Sequence, residues 1–159
     1  MIINIAGTSG SGKTHLVRAF IDWAAACSVI TPVHEEGRNL PIGYTVEFPE
    51  RKRPVFILGA YEDFDTAGCD TIKDIGRVIR ALVDYHEKYD MIYEGLFVMN
   101  MTRAPAFLEQ YPKAKFYIIQ LLVPLATCFA SINVRRAERG QGPLLTKKNT
   151  KGNYTRAAN

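Results

Sequence analysis

The chain has 159 residues, 47% hydrophobic, 23% charged and 11% aromatic, with a formal net charge of +4. So much apolar side chain at so low a net charge excludes a disordered polymer, and the length suits one ordinary domain. No apolar run approaches the ~18 residues of a membrane span, and the short Met1–Ala6 stretch gives way to glycines, unlike a secretion signal.

Charge is unevenly placed. Residues 1–132 carry 13 Lys and Arg against 15 Asp and Glu, whereas residues 133–159 carry 7 against 1. A basic tail on a slightly acidic body suits phosphates or nucleic acid, or simply a solvated face. Cys27, Cys69 and Cys128 have no paired or metal-like spacing, and His15, His34 and His86 stand apart from one another and from them. Reduced, packing thiols in a cytoplasmic setting and no zinc site are expected.

In chain order, Met1–Ala6 reads as a buried strand ending in a glycine-rich turn. Lys13–Ala26 has helical spacing, with Leu16, Val17, Phe20 and Trp23 or Ala24 on one face. Ser28–Val33 is a second short strand. His34–Arg38 opens a charged loop, read either as a cover for the acceptor or as a connector. Tyr44–Phe48 and Pro54–Leu58 are β-rich runs around the basic turn Arg51-Lys52-Arg53. Asp70 or Thr71 is expected to cap a helix with Ile72, Ile75, Val78, Ile79, Leu82 and Val83 on its apolar face, ending near Tyr89. Met91–Val98 is a third apolar strand, Pro105–Tyr111 a short helix started by Pro105, and Lys115–Val123 a strongly apolar strand. Pro124–Arg139 is a helix stopped by Gly140, with Arg135, Arg136 and Arg139 where the dipole favours cations. Strands alternating with helices predict an α/β layer fold with a mainly parallel sheet.

One motif sets the expected class. Gly7-Thr8-Ser9-Gly10-Ser11-Gly12-Lys13-Thr14 matches G-x-x-x-x-G-K-[ST], with an apolar strand before it and an amphipathic helix after it. Glycines let the backbone wrap a phosphate chain, so that Gly7, Ser9, Gly10, Ser11 and Gly12 present amides and a helix N-terminus to it. Lys13 adds a point charge for the β- and γ-phosphates, and Thr14 offers Mg²⁺ a hydroxyl. The expectation is a P-loop NTPase, in a nucleotide-kinase-like three-layer arrangement that uses ATP and Mg²⁺.

Three readings of the reaction compete. Asp65-Thr66-Ala67-Gly68 resembles a GTPase switch, but no N-K-x-D sequence for guanine recognition accompanies it. A motor would need an acidic residue ending a second strand, which Glu94 supplies, but also more chain for sensors and partners. A small kinase explains more: Arg135, Arg136 and Arg139 lie where a lid would fold over the phosphates, and phosphoryl transfer depends on such charge. The acceptor hydroxyl needs a carboxylate, for which Asp63, Asp65, Asp70 and Glu94 are candidates, with Glu94 and Asp70 ahead. A charge at Glu94 on a central strand would be buried, which points to a role near metal or substrate.

The P-loop GTSGSGKT, Leu58-Gly59-Ala60-Tyr61 leading to Gly68-Cys69-Asp70-Thr71-Ile72, Tyr93-Glu94-Gly95 and Asn133-Val134-Arg135-Arg136 together resemble phage-encoded P-loop kinases. Within that group the chain is most similar to the 5-hydroxymethyluracil DNA kinases, over most of its length. The resemblance implies one kinase domain over 1–159 with a basic lid or tail at about 133–159. It also implies phosphorylation of the hydroxymethyl group of a modified base already in DNA, on the way to hypermodified thymidine, in the cytoplasm of an infected bacterium. A DNA acceptor would reward the cations of the tail (Lys147, Lys148, Lys151, Arg156) and of the Arg51–Arg53 turn. Tyr61, Phe64 and Tyr44 are either stacking partners for an extruded base or core. A kinase of a small metabolite or nucleoside monophosphate is the alternative within the enzyme class.

Overall fold

Six short segments rich in β-branched and aromatic residues pair into one sheet. They are Ile2–Ala6 (β1), Val29–Val33 (β2), Gly43–Glu47 (β3), Val55–Leu58 (β4), Asp90–Glu94 (β5) and Phe116–Gln120 (β6), in the order β2-β3-β4-β5-β1-β6. The structure, a computed structural model, describes residues 1–62, 67–95 and 103–143, with 103–106 as backbone only. β4, β5, β1 and β6 run parallel, while β3 is antiparallel to both β2 and β4. The mixed α/β architecture and mostly parallel sheet agree with the alternation of elements along the chain.

The helices are Lys13–Ala25 (α1), Ile75–Tyr85 (α2), Arg103–Gln110 (α3) and Leu125–Glu138 (α4). Side chains of a strand alternate between faces, so each central strand feeds two cores. Val55 and Ile57 of β4 pack with Val17 and Ala24 of α1, together with Ile5, Tyr44, Val46 and Tyr61. Phe56 and Leu58 turn the other way, onto Val78, Ala81 and Leu82 of α2 and Phe107 of α3, joined by Met91 and Tyr93. Helices thus cover both faces, and the parallel strands all deliver their carboxyl ends to one edge.

Several local expectations shift. The buried stripe of α1 centres on Val17 and Ala24, with Phe20 and Ile21 packed beside them, while Leu16 and Trp23 are exposed. Trp23 instead lies 5.6 Å, between ring centroids, from both Phe20 and Phe48. α2 starts later than expected: Asp74 is its cap, its side chain accepting from the Gly76 N–H at 2.8 Å, and Cys69–Thr71 forms a separate 3-10 turn. Asp70 is therefore released from capping. α3 begins two residues before Pro105, which falls in its first turn, where a missing N–H is harmless. β6 is an edge strand, and its apolar Tyr117, Ile118 and Ile119 are each more than two-fifths exposed. Cys69 and Cys128 are buried free thiols, while Cys27 is free but exposed. Among the described residues, no helix is long and apolar enough to cross a membrane.

Candidate active site

β1 ends at Ala6, and the chain then turns through the glycine-rich loop into α1. Gly10 and Gly12 take left-handed φ of 81° and 88°, which side-chain-bearing residues rarely adopt. At Gly10 the space is closed as well, since a Cβ would stand 2.3 Å from the Cys128 carbonyl oxygen on α4. The loop is thus pinned between the sheet and α4. Lys13 bends back over it, with Nζ donating to the Gly7 carbonyl at 2.9 Å and the Thr8 carbonyl at 3.1 Å. The buried Ser11 hydroxyl has no hydrogen-bond partner among the described residues.

Register brings the second half of the site to the loop. Ile5 of β1 pairs with Glu94 of β5, so Glu94 ends its strand beside the start of the loop. Thr14, on the first turn of α1, places its hydroxyl 2.8 Å and 3.0 Å from the two Glu94 carboxylate oxygens. Glu94 is 5% exposed. Burial pushes its carboxyl up to about 6, against the opposing pull of the Thr14 hydrogen bond and the Lys13 charge. Burial likewise lowers Lys13 from the ordinary lysine value, partly offset by Glu94 and Asp70.

These groups line a cleft of about 790 Å³ at the carboxyl edge of the sheet. Of the residues singled out in the sequence, it gathers Ser9, Gly10, Gly12, Lys13, Thr14, Asp70, Glu94, Arg135 and Arg139. Gly7 and Ser11 are buried behind its lining. Arg136 does not line it; its Nε donates to the Gly142 carbonyl at 2.7 Å. Asp63, Asp65, Phe64 and the tail cations Lys147, Lys148, Lys151 and Arg156 lie outside the described residues.

Other expected contacts go elsewhere. Tyr44 and Tyr61 are each 7% exposed, and the Tyr61 N–H donates to the Tyr44 hydroxyl at 3.0 Å. Both are core, and neither ring presents a face for a base. Arg51 and Arg53 pair with Asp90 at 2.6 Å and 3.5 Å, and Arg53 also donates to the Tyr89 carbonyl at 2.7 Å. Asp90 starts β5 and Glu94 ends it, so this basic turn sits some ~13 Å of strand away from the cleft, at the opposite edge. The His34–Arg38 loop is tied to its own neighbours and to the 3-10 turn by Arg38, which donates to the Leu40 and Thr71 carbonyls. It is a connector and does not line the cleft.

Two contributions escaped the sequence reading. Gly68 (φ 66°) lies against Glu94, where a Cβ would meet Oε1 at 2.4 Å. Arg18 lines the cleft with Thr14 and donates from Nε to the Tyr61 carbonyl at 3.2 Å. The i,i+4 spacing of Thr14 and Arg18 on α1 was its one signal in the sequence.

Chemically, the loop amides, Lys13, Arg135 and Arg139 can hold an anionic chain. Among the described residues no cluster of three or more His, Cys, Asp or Glu could hold a metal. A divalent cation would therefore take Thr14 and Glu94 together with oxygens of its ligand, the usual manner of Mg²⁺. The hard oxygens of Thr14 and Glu94, already in mutual contact, fit that ion.

Fold and site together give a cleft at the carboxyl edge of an α/β sheet, lined by Lys13, Arg18, Arg135 and Arg139 with Asp70 and Glu94. No family model matches the chain, and no solved structure matches it. It is 32% identical over 156 residues to the 5-hmdU DNA kinase of Pseudomonas phage PaMx11, in an alignment spanning 96% of this chain and 79% of the relative. The chain belongs to the 5-hmdU DNA kinase family, and it is a kinase.

Proposed function

We propose that the chain is a P-loop kinase that moves the terminal phosphoryl group of ATP, with Mg²⁺, onto the hydroxymethyl oxygen of 5-hydroxymethyluracil in DNA. Residues 1–159 act as one kinase domain, and the product is a step towards hypermodified thymidine in the cytoplasm of an infected bacterium. The observation that carries the reading is the Thr14–Glu94 contact beside Lys13, in a chain whose relative is a 5-hmdU DNA kinase.

When bound, Mg-ATP supplies the transferable group and the charge that neutralises it. Loop amides from Gly7 to Thr14 cradle the phosphates, and Lys13 exchanges the Gly7 and Thr8 carbonyls for phosphate oxygens. Thr14 and Glu94 hold the cation. Arg135 and Arg139 close over the phosphates and stabilise charge on the equatorial oxygens during transfer. Asp70, at the cleft and free of capping duty, accepts the acceptor hydroxyl proton. As it does so, the acceptor oxygen bonds to the terminal phosphorus, and the bond from that phosphorus to its bridging oxygen breaks, leaving ADP.

The test is incubation with γ-labelled ATP, Mg²⁺ and either 5-hydroxymethyluracil DNA, unmodified DNA or free nucleotides. Label confined to the hydroxymethylated DNA is expected. Label confined to mononucleotides would make the chain a small-molecule kinase instead.

A further inference from the structure

We propose that two copies of this chain join their β6 strands antiparallel, about a two-fold axis at Ile118, so that their two sheets become one. This pairing is independent of the reaction catalysed.

β6 closes one edge of the sheet and pairs, among the described strands, with β1 alone. Peptide groups alternate in direction along a strand, and two bonds fix which of them face β1. The Lys115 carbonyl accepts from the Ile2 N–H, and the Leu121 N–H donates to the Ala6 carbonyl. Tyr117 and Ile119, in step with these two, therefore turn their backbone groups inward. Phe116, Ile118 and Gln120 turn theirs outward, where no backbone bond from the described residues meets them.

An open edge of this kind is a template for another strand unless charge or proline blunts it. The opposite edge is blunted: β2 carries Pro32, which has no N–H to offer. From Phe116 to Val123 there is neither proline nor a charged residue. The side chains are equally open. Tyr117 and Ile119 on one face and Ile118 on the other are each more than two-fifths exposed, and Leu122, just beyond the strand, is 71% exposed. Together they present apolar surface on the order of 400 Å², the size that marks an interaction site on a soluble chain.

The occupant follows from the chemistry. An uncharged apolar edge has nothing for nucleic acid or a charged peptide, and residues 146–159 are basic without apolar alternation, so they supply no matching strand. A second β6 matches it. With Ile118 of one copy opposite Ile118 of the other, Phe116 of each copy faces Gln120 of the other, and every outward N–H and C=O of the strand finds a partner. β4, β5, β1 and β6 are parallel, so the two clefts open at opposite ends of the joined sheet and do not obstruct each other.

The test is sedimentation and native mass spectrometry of the full chain, with amide hydrogen exchange by NMR. Wild type is expected to be a dimer at about 50 µM; a chain still monomeric at about 200 µM overturns the proposal. In wild type the Ile118 and Gln120 amides should gain protection as concentration rises, while those of Tyr117 and Ile119 are protected throughout. Ile118 and Gln120 amides that exchange freely in the dimer overturn it, whatever the variants do. Ile118→Pro removes an N–H that β1 does not use, so it should fold by circular dichroism and weaken the dimer at least tenfold. Ile118→Lys and Ile118→Glu each set like charges across the axis and should each be monomeric, whereas an equal mixture should form the heterodimer. Folded charged variants that dimerise as wild type does, or a mixture of them that stays monomeric, overturn the pairing at Ile118.

Discussion

Gly68 gives Glu94 its room: a Cβ built on Gly68 would stand 2.4 Å from Glu94 Oε1. The residue also has φ 66° and ψ −149°, a conformation close to glycine-only. Gly68→Ala should therefore both strain the backbone and push the carboxylate off Thr14. The expected result is about 1–3 kcal/mol less stability in urea and a rise of roughly tenfold or more in the Mg²⁺ concentration needed for half-maximal turnover. Unchanged Mg²⁺ dependence would separate Gly68 from the site.

Lys13→Ala should lower turnover by roughly two to four orders of magnitude, because the lysine charge is most useful as charge develops in transfer. Its two hydrogen bonds are to carbonyls of its own loop and brace no other element, so the fold should survive. Circular dichroism and steady-state kinetics on the same preparation decide this. Near-normal turnover would remove the loop from the mechanism.

Glu94 predicts a trade between stability and activity. Its folded-state value near 6 lies above the ordinary 4.5, so its stabilising contribution is complete below about 4.5 and is lost as pH rises through about 6. Glu94→Gln keeps an oxygen for the Thr14 hydroxyl but carries no charge. At pH 8, without metal, the variant should be more stable than wild type by about 1–2 kcal/mol, and the gap should vanish below pH ~4.5. Turnover should fall at least a hundredfold. A variant less stable than wild type at pH 8 would show that the carboxylate is not under strain from burial.

The same titration shapes the pH profile. At subsaturating Mg²⁺, kcat/KM should drop as pH falls through about 6, since a protonated Glu94 cannot hold the cation. Raising Mg²⁺ should move that limb to lower pH, because the metal competes with the proton. A limb indifferent to Mg²⁺ would assign it to another group.

Arg135 and Arg136 are adjacent but face different work. Arg135→Ala should cost roughly a hundredfold or more in kcat, whereas Arg136→Ala, whose side chain is spent on the Gly142 carbonyl, should cost less than about threefold. Equal losses would return Arg136 to the cleft.

The elements were legible in the chain because they depend on neighbours a few residues apart. The β-rich run of β4, the apolar run of β5, the spacing of Val17 and Ala24, and the stop at Gly140 are all short-range signals. The loop from Gly7 to Thr14 was legible for the same reason, since a single turn carries all its glycines. Where two nearby residues offered the same chemistry, local reading failed. Asp74 caps α2 in place of Asp70, because the 3-10 turn at Cys69–Thr71 displaces the helix start. The Arg51–Arg53 turn reads locally as a surface for DNA, and only the fold shows that Arg51 pairs with Asp90, 39 residues away, at the edge of the sheet opposite the cleft.

By itself, the order of residues determined the alternating architecture and the glycine-rich turn between β1 and α1. Tertiary structure alone decided what joins that loop. Thr14 meets Glu94 across 80 residues, Gly68 clears space for the same carboxylate, and the Tyr61 carbonyl accepts from Arg18 at the same cleft. Such meetings follow from strand register and from which loop ends share the carboxyl edge of the sheet. Those are properties of long-range packing, which no window of neighbouring residues encodes.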